Sequence, residues 1–398
     1  MSNQKDDSKL GFRNVVMLGY VSLFTDVSTE MILGVLPLFI VVNLGASPAI
    51  LGLIEGVAEA VNYGCRVFTG VLTDKIGKRK VLIFLGYGLS SISKPLFALA
   101  STWGQAFAIR TMDRAGKGAR TSPRDALISD SVAKSQAGKA FGTHSSMDQI
   151  GAVAGPLLAF GLIPLIGIRG IFWVSFIPAL ISLLILLFFV KEKHGLRRQT
   201  DVFRNARLVL NREFSLFLIT LGIFSVGAYD FSFILLEAGA LGVQTNYIPL
   251  VYAFLNFATV IIGLPAGLLA DRVGKVPALC LGYFMFFFAS FSGIILHVNP
   301  FNALVIAFLF GGYLAISDTI QRAIIPDFTL PEFKGTAYAF YYTLIGGCAL
   351  VANSVFGFLW SSVGSGLAFK FSMATSVVGL VALLLFMMRG RRQHVSLL

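Results

Sequence analysis

A short charged hairpin that occurs twice constrains this sequence more than any other feature. Gly70-Val71-Leu72-Thr73-Asp74-Lys75-Ile76-Gly77-Lys78-Arg79-Lys80 lies between two long apolar runs. Gly267-Leu268-Leu269-Ala270-Asp271-Arg272-Val273-Gly274-Lys275 repeats it 197 residues later, about half of the 398-residue chain, again between apolar runs. A polar turn recurring at half-length implies two related halves of membrane-embedded helices, each with the same tight turn at the same membrane face. The offset holds elsewhere. Gly138-Lys139-Ala140-Phe141 meets Gly335-Thr336-Ala337-Tyr338, Asp130 meets Asp327, and Glu59 meets Asn256.

Composition decides what solvent those runs face. The chain is 56% hydrophobic and 13% charged, with 37 Phe, where a soluble protein would carry about 25% charged residues. Windows long enough to cross the hydrocarbon number twelve: 14–42, 49–71, 80–101, 104–127, 139–164 and 168–190, then 215–241, 247–270, 277–297, 302–325, 335–359 and 365–388. The second, fourth and tenth hold enough Gly, Pro and charge to escape a strict hydropathy cutoff, and the repeat rescues them. The expected fold is an all-α membrane protein with twelve transmembrane helices in two pseudo-symmetric six-helix bundles. The bundles are residues 1–190 and 214–398, joined by a basic cytoplasmic linker, 191–213. Cys65, Cys280 and Cys348 fall inside apolar runs, so packing is their expected role. Met1–Leu10 is polar, without an apolar core or a small-residue cleavage site, so the first span is expected to insert uncleaved.

The net charge of +12 raises the question of nucleic acid, and the position of the charges answers it. One set of loops carries Lys5, Lys9, Arg13, Lys75, Lys78, Arg79, Lys80, Lys134, Arg272, Lys275, Lys334, Arg389, Arg391 and Arg392, and the linker adds seven more between Lys191 and Arg212. The opposite loops offer little beyond Arg169. This asymmetry places both termini in the cytoplasm by the positive-inside rule and explains the charge without a nucleic-acid partner. Within the linker, Val202–Leu210 has the pattern of a basic helix lying on the membrane surface.

The hairpin G-x-L-x-D-x-x-G-[K/R] resembles the loop motif of the major facilitator superfamily, between the second and third helix of each half. Six plus six spans, a basic central linker and the doubled motif extend the resemblance over essentially the whole chain. Arg114-Ala115-Gly116-Lys117-Gly118 looks like the R-x-x-x-G pattern of the fourth helix. Gly151-Ala152-Val153-Ala154-Gly155-Pro156 looks like the G-x-x-x-G-P stretch associated with antiporters, although Leu158 and Ala159 replace the usual paired glycines. The run Asp113–Ala126 resembles a bacterial branch whose substrates are mostly unassigned. The resemblance implies a transporter of the bacterial cytoplasmic (inner) membrane, working by alternating access as a monomer, without a cofactor.

Charged side chains in the spans are costly unless they face a partner or a wet cavity. Asp26 and Glu30 lie four apart with Ser22 on one face of the first span. Glu55, Glu59, Asn62 and Arg66 form a narrow stripe on the second. Arg110, Asp113, Arg114, Lys117, Thr121 and Arg124 share about a third of the fourth span's circumference. Lys94 precedes Pro95 in the third, where a kink can free a carbonyl. His144 and Asp148 share a face with Gly151 and Gly155 in the fifth. The second half carries fewer: Asp230 with Glu237 in the seventh span and Asp318 with Arg322 in the tenth. Such stripes can also pair simply as interhelical ion bridges. That reading is favoured for Lys117, Arg120 and Arg124, which can snorkel, and it stands level with function for Glu55.

The expected roles follow. Asp26, Glu30, Glu59, Glu55 and Asp148 are candidates for proton coupling. Lys94, Arg110 and Arg114, with Asp113, Asp230, Asn256, Tyr229 and Tyr341, are candidates for substrate binding, the cations attracting a carboxylate or phosphate. Gating falls to Gly70, Asp74, Gly77, Arg79, Gly267, Asp271, Gly274, Gly151, Gly155 and Pro156. His144 and Asp148 have the spacing of two metal ligands, a minority reading because zinc-type sites need three or four. No phosphate loop for ATP is present, so an ion or solute gradient must drive transport. Proton-linked export by antiport is favoured over symport of an organic anion or metal chelate, and over divalent-metal efflux. A non-transporting sensor would need a soluble output domain, and an enzyme would need a nucleophile and base on one wet face; neither pattern is present.

Overall fold

The computed structural model describes residues 2–192 and 206–395, the side chains at 2–10, 74, 134, 206, 207, 331 and 390–395 excepted. Every regular element among them is helical. Lipid offers no partner to backbone N–H and C=O groups, so an apolar chain satisfies them within helices. The first span runs from Ser2 to Leu33 and continues through Leu36–Leu38 and Phe39–Asn43. Pro48–Ile76, Lys80–Leu99 and Trp103–Ser131 are the second to fourth. The helical run Ala137–Phe189 breaks at Gly167 (φ 67°, ψ 176°), which divides it into the fifth and sixth. The seventh is itself interrupted, Arg212–Ser225 followed by Phe231–Ala240. Ile248–Val273, Lys275–Ile295, Pro300–Ile324, Lys334–Ser362 and Ser365–Val395 complete twelve spans.

Among the described residues, eight helical stretches are long and apolar enough to cross a membrane by composition alone, the fused fifth and sixth counting as one. The second and fourth fall short, as expected from their charges. The tenth qualifies, contrary to expectation, and the seventh does not. Its two pieces are too short, because the chain leaves the helix after Ser225 and restarts only where the Asp230 carboxylate accepts a hydrogen bond from the Ser232 N–H at 2.9 Å.

Two compact units divide the chain. One comprises residues 1–45, 61–200 and 246–253, the other 46–60, 201–245 and 254–398. Of the linker, Ala206–Val209 forms one helical turn; positions 202–205 of the expected surface helix lie outside the described residues.

Both hairpins turn in the same way. Gly77 and Gly274 have φ of 70° and 97°, the left-handed region that a side chain resists. The Gly77 N–H donates to the Thr73 carbonyl and the Gly274 N–H to the Ala270 carbonyl, each at 3.0 Å. The 197-residue repeat is therefore visible in the backbone as well as in the letters.

Candidate functional site

Within the first unit, the third and fourth spans cross at two glycines. A Cβ on Gly86 would stand 2.7 Å from the Gly116 carbonyl oxygen, and one on Gly116 2.7 Å from that of Gly86. Small residues permit such backbone approach, and it sets Ser90, Ser93 and Lys94 opposite Arg110, Asp113 and Arg114. The Asp113 Oδ1 accepts hydrogen bonds from Ser90 Oγ at 2.5 Å and Ser93 Oγ at 3.3 Å. Its Oδ2 lies 3.5 Å from Arg110 Nη1. The Lys94 ammonium donates to Thr29 Oγ1 of the first span at 3.0 Å. Lys94 and Arg110 are each 1% exposed, and Arg114 and Asp113 are also buried. A void of about 10 Å³ lies among Thr29, Ile32, Leu33, Lys94, Phe97, Arg110 and Asp113. It is the size of one water, with polar groups enough to hold one.

The first span meets the fifth in the same manner. Cβ atoms on Gly151 and Gly155 would stand 2.6 Å from the carbonyl oxygens of Leu23 and Val27, beside the side chains of Asp26 and Glu30. Pro156 is buried next to this seam, and both acids are half-buried. Glu30 Oε2 accepts a 2.5 Å hydrogen bond from the Tyr252 hydroxyl. Asp148 Oδ2 lies 3.6 Å from His144 Nδ1. Arg124 donates to Ser22 at 3.2 Å and to Asp125 at 3.0 Å, and the Arg120 guanidinium sits 4.3 Å from the centre of the Tyr87 ring.

In the second unit, Gly52 and Gly56 bring the second span against backbone of the eleventh at Asn353 and Leu350. Glu55 is fully buried there and Glu59 half-buried. The Asp230 N–H donates to Asn353 Oδ1 at 2.7 Å, and the Asp230 carboxylate lies within electrostatic reach of Glu55 and Glu59. Three acids drawn from separate expected roles thus gather in one unit. Tyr229 is buried, its hydroxyl 3.4 Å from Ser290 Oγ and its ring 4.3 Å from Phe356 and 5.4 Å from Phe310. Tyr341 donates to Gln321 Oε1 at 2.9 Å, and Asn256 is half-buried on the eighth span.

At the first hairpin, Arg79 Nε lies 2.6 Å from Asp130 Oδ2. The backbone N–H groups of Arg79 and Lys80 donate to the two Glu192 carboxylate oxygens at 3.0 and 2.9 Å, capping the third span. The Asp74 side chain lies outside the described residues. A Cβ on Gly70 would meet Ser122 at 3.4 Å, whereas one on Gly267 would meet nothing within 4 Å, and Asp271 is exposed.

Thr29, Ser90, Ser93, Tyr252 and Asn353 belong to these clusters and went unnoticed in the sequence. Each is a neutral polar residue in an apolar run; Thr29, Ser90 and Ser93 stand one helical turn or less from a charged residue, and Tyr252 stands one turn from Asn256. A polar residue beside an intramembrane charge is the signal that marks three of them, and the Asn256 amide marks Tyr252; nothing near Asn353 marks it.

The profile described as the Major Facilitator Superfamily matches residues 16–255. An uncharacterized MFS-type transporter of Methanocaldococcus jannaschii is 30% identical over 391 residues, which cover 96% of this chain and 96% of that protein. The multidrug resistance protein MdtG of Proteus mirabilis is 26% identical over 388 residues, 93% of this chain and 94% of that protein. Among solved structures, a POT family transporter in complex with a thioalcohol conjugated peptide aligns with a TM-score of 0.78 at 13% identity over 96% of each chain, a likeness of fold.

Proposed function

The chain belongs to the major facilitator superfamily, a multi-pass membrane transporter and not an enzyme, and on that premise we propose that it moves a small anionic or zwitterionic solute by proton-linked alternating access. The observation that carries this reading is the buried cluster of three cations, Lys94, Arg110 and Arg114, beside the Asp113 carboxylate at the crossing of the third and fourth spans. A buried cluster of cations attracts an anion, and the planar guanidinium fork matches a carboxylate or phosphate. Asp26, Glu30, Glu55, Glu59 and Asp148 handle the proton. Asp230, Asn256, Tyr229 and Tyr341 are proposed substrate contacts of the second unit. The two bundles, 1–190 and 214–398, rock about the site, and the protein acts as a monomer in a bacterial cytoplasmic membrane with both termini inside.

Export by antiport is the direction favoured by Gly151–Pro156 and by the similarity to a protein named for multidrug resistance. Uptake of an organic anion or chelate together with a proton is the second reading, and the clustering of buried cations favours it. Divalent-metal efflux through Asp26, Glu30, His144 and Asp148 is the weakest. Among the described residues, no three of His, Cys, Asp or Glu stand close enough to hold a metal.

Purified protein in proteoliposomes, given a pH gradient of either polarity and labelled carboxylates or phosphates, separates the directions. Antiport accumulates substrate on the acidic side and symport on the alkaline side. Arg114→Gln is expected to abolish anion movement, and a variant that transports normally would overturn the anion reading.

A further inference from the structure

We propose that Lys94 is the coupling residue of this transporter, an ammonium shared between the Asp26–Glu30 pair of the first span and Asp113 of the fourth. The proposal rests on the anion-binding reading of Arg110 and Arg114 given above. Its basis is position. Lys94 is 1% exposed and donates to Thr29 Oγ1, on the residue just before Glu30. It also lines the water-sized void that Arg110 and Asp113 line from the fourth span. The charged groups that act on it are Asp113 and Arg120 on the fourth span and Asp26 and Glu30 on the first. Asp26 in turn faces Asp148 of the fifth span, Lys117 and Arg120 of the fourth, and Glu30 on its own. Glu30 accepts the Tyr252 hydroxyl of the eighth.

Two carboxylates one helical turn apart repel when both are ionised, and a proton taken up by either relieves the repulsion. With the pair ionised, Lys94 is drawn to the first span and Arg110 balances Asp113. A proton from solvent then forms an O–H bond on Asp26 or Glu30 and removes one negative charge. The attraction on Lys94 shifts to Asp113, whose Oδ2 lies 3.5 Å from Arg110, long for a charge-assisted bond. Arg110 exchanges that carboxylate for the carboxylate or phosphate of the substrate. Proton and anion therefore raise each other's affinity, reciprocally as binding linkage requires, which is the coupling of the symport reading and not of antiport.

Thermal unfolding of the full chain in detergent tests this, with benzoate, citrate and inorganic phosphate as probes at about pH 5.5 and about pH 8.5. In the wild type at least one probe is expected to raise Tm, with an apparent affinity about tenfold higher at the lower pH. Lys94→Met removes one of the three cations, so it is expected to answer the same probe with lower affinity, through Arg110 and Arg114, and to lose its pH dependence. Thr29→Val, which removes the hydrogen bond and leaves the ammonium, is expected to reduce the pH dependence; should Lys94→Met fail to fold, this variant decides. Wild-type pH dependence in Lys94→Met, or in Thr29→Val where it decides, overturns the relay and leaves the anion site standing. A wild type that answers no probe at either pH overturns both.

Discussion

Asp113 carries the charge balance of the crossing between the third and fourth spans. One of its oxygens takes two serine hydroxyls and the other faces Arg110, so the residue matters both as a charge and as an acceptor. Asp113→Ala removes both and leaves neighbouring buried cations without that carboxylate, a loss of about 3–5 kcal/mol. Asp113→Asn keeps a carbonyl oxygen for Ser90 and Ser93 and is expected to cost less. Thermal unfolding in one detergent should rank wild type, Asn and Ala in falling order; an Ala variant as stable as wild type would mean that the cations are balanced elsewhere. The charged residues of this cluster were legible in the sequence as a stripe on one face. Their partners were not. A helical period gives the face a side chain occupies, but which neighbouring helix that face meets depends on packing across 65 residues in the case of Lys94 and Thr29, and 222 in that of Glu30 and Tyr252.

At the scale of the element, glycine position governs which helices touch. Gly155 presses on Val27 and Glu30 of the first span, whereas Gly161, on the same helix, has nothing within 4 Å of where its Cβ would stand. Gly155→Ala must push backbone apart, and overpacking of this kind costs about 1–3 kcal/mol. Gly161→Ala is expected to be neutral or to stabilise by up to about 1 kcal/mol through helix propensity. Comparing the two variants by thermal unfolding and by transport separates a packing role from a general intolerance of side chains on that helix; equal losses would defeat the assignment. The G-x-x-x-G spacing was legible because small residues recur with the helical period. The interruption of the seventh span was not, because Val226–Asp230 contains no proline and its one glycine does not stand out in a chain with 41. The signal is the Asp230 cap, and the same carboxylate has the sequence pattern of an intramembrane charge.

For the molecule as a whole, the doubled hairpin announced the architecture because a turn needing φ above zero is hard to replace, and Gly77 and Gly274 both have it. What the repeat did not convey is how unequally its copies are tied down. In the first half Arg79 holds Asp130, with its side chain 7% exposed, and Glu192 caps the adjoining helix. Asp327 is the repeat partner of Asp130, and it is met by Lys275, one repeat position earlier than Arg79, with a side chain 37% exposed at 2.6 Å. Screening leaves an exposed pair worth about 0–1 kcal/mol, whereas removing either member of a pair shielded from water costs more. Arg79→Gln should therefore lower Tm and slow transport, and Lys275→Gln should do neither beyond experimental error. The same inequality predicts that Asp74→Asn disturbs transport more than Asp271→Asn, whose position is exposed. Rates measured on the four variants in one proteoliposome preparation decide the matter, because equal losses in the two halves would mean that both hairpins bear the same load during the cycle.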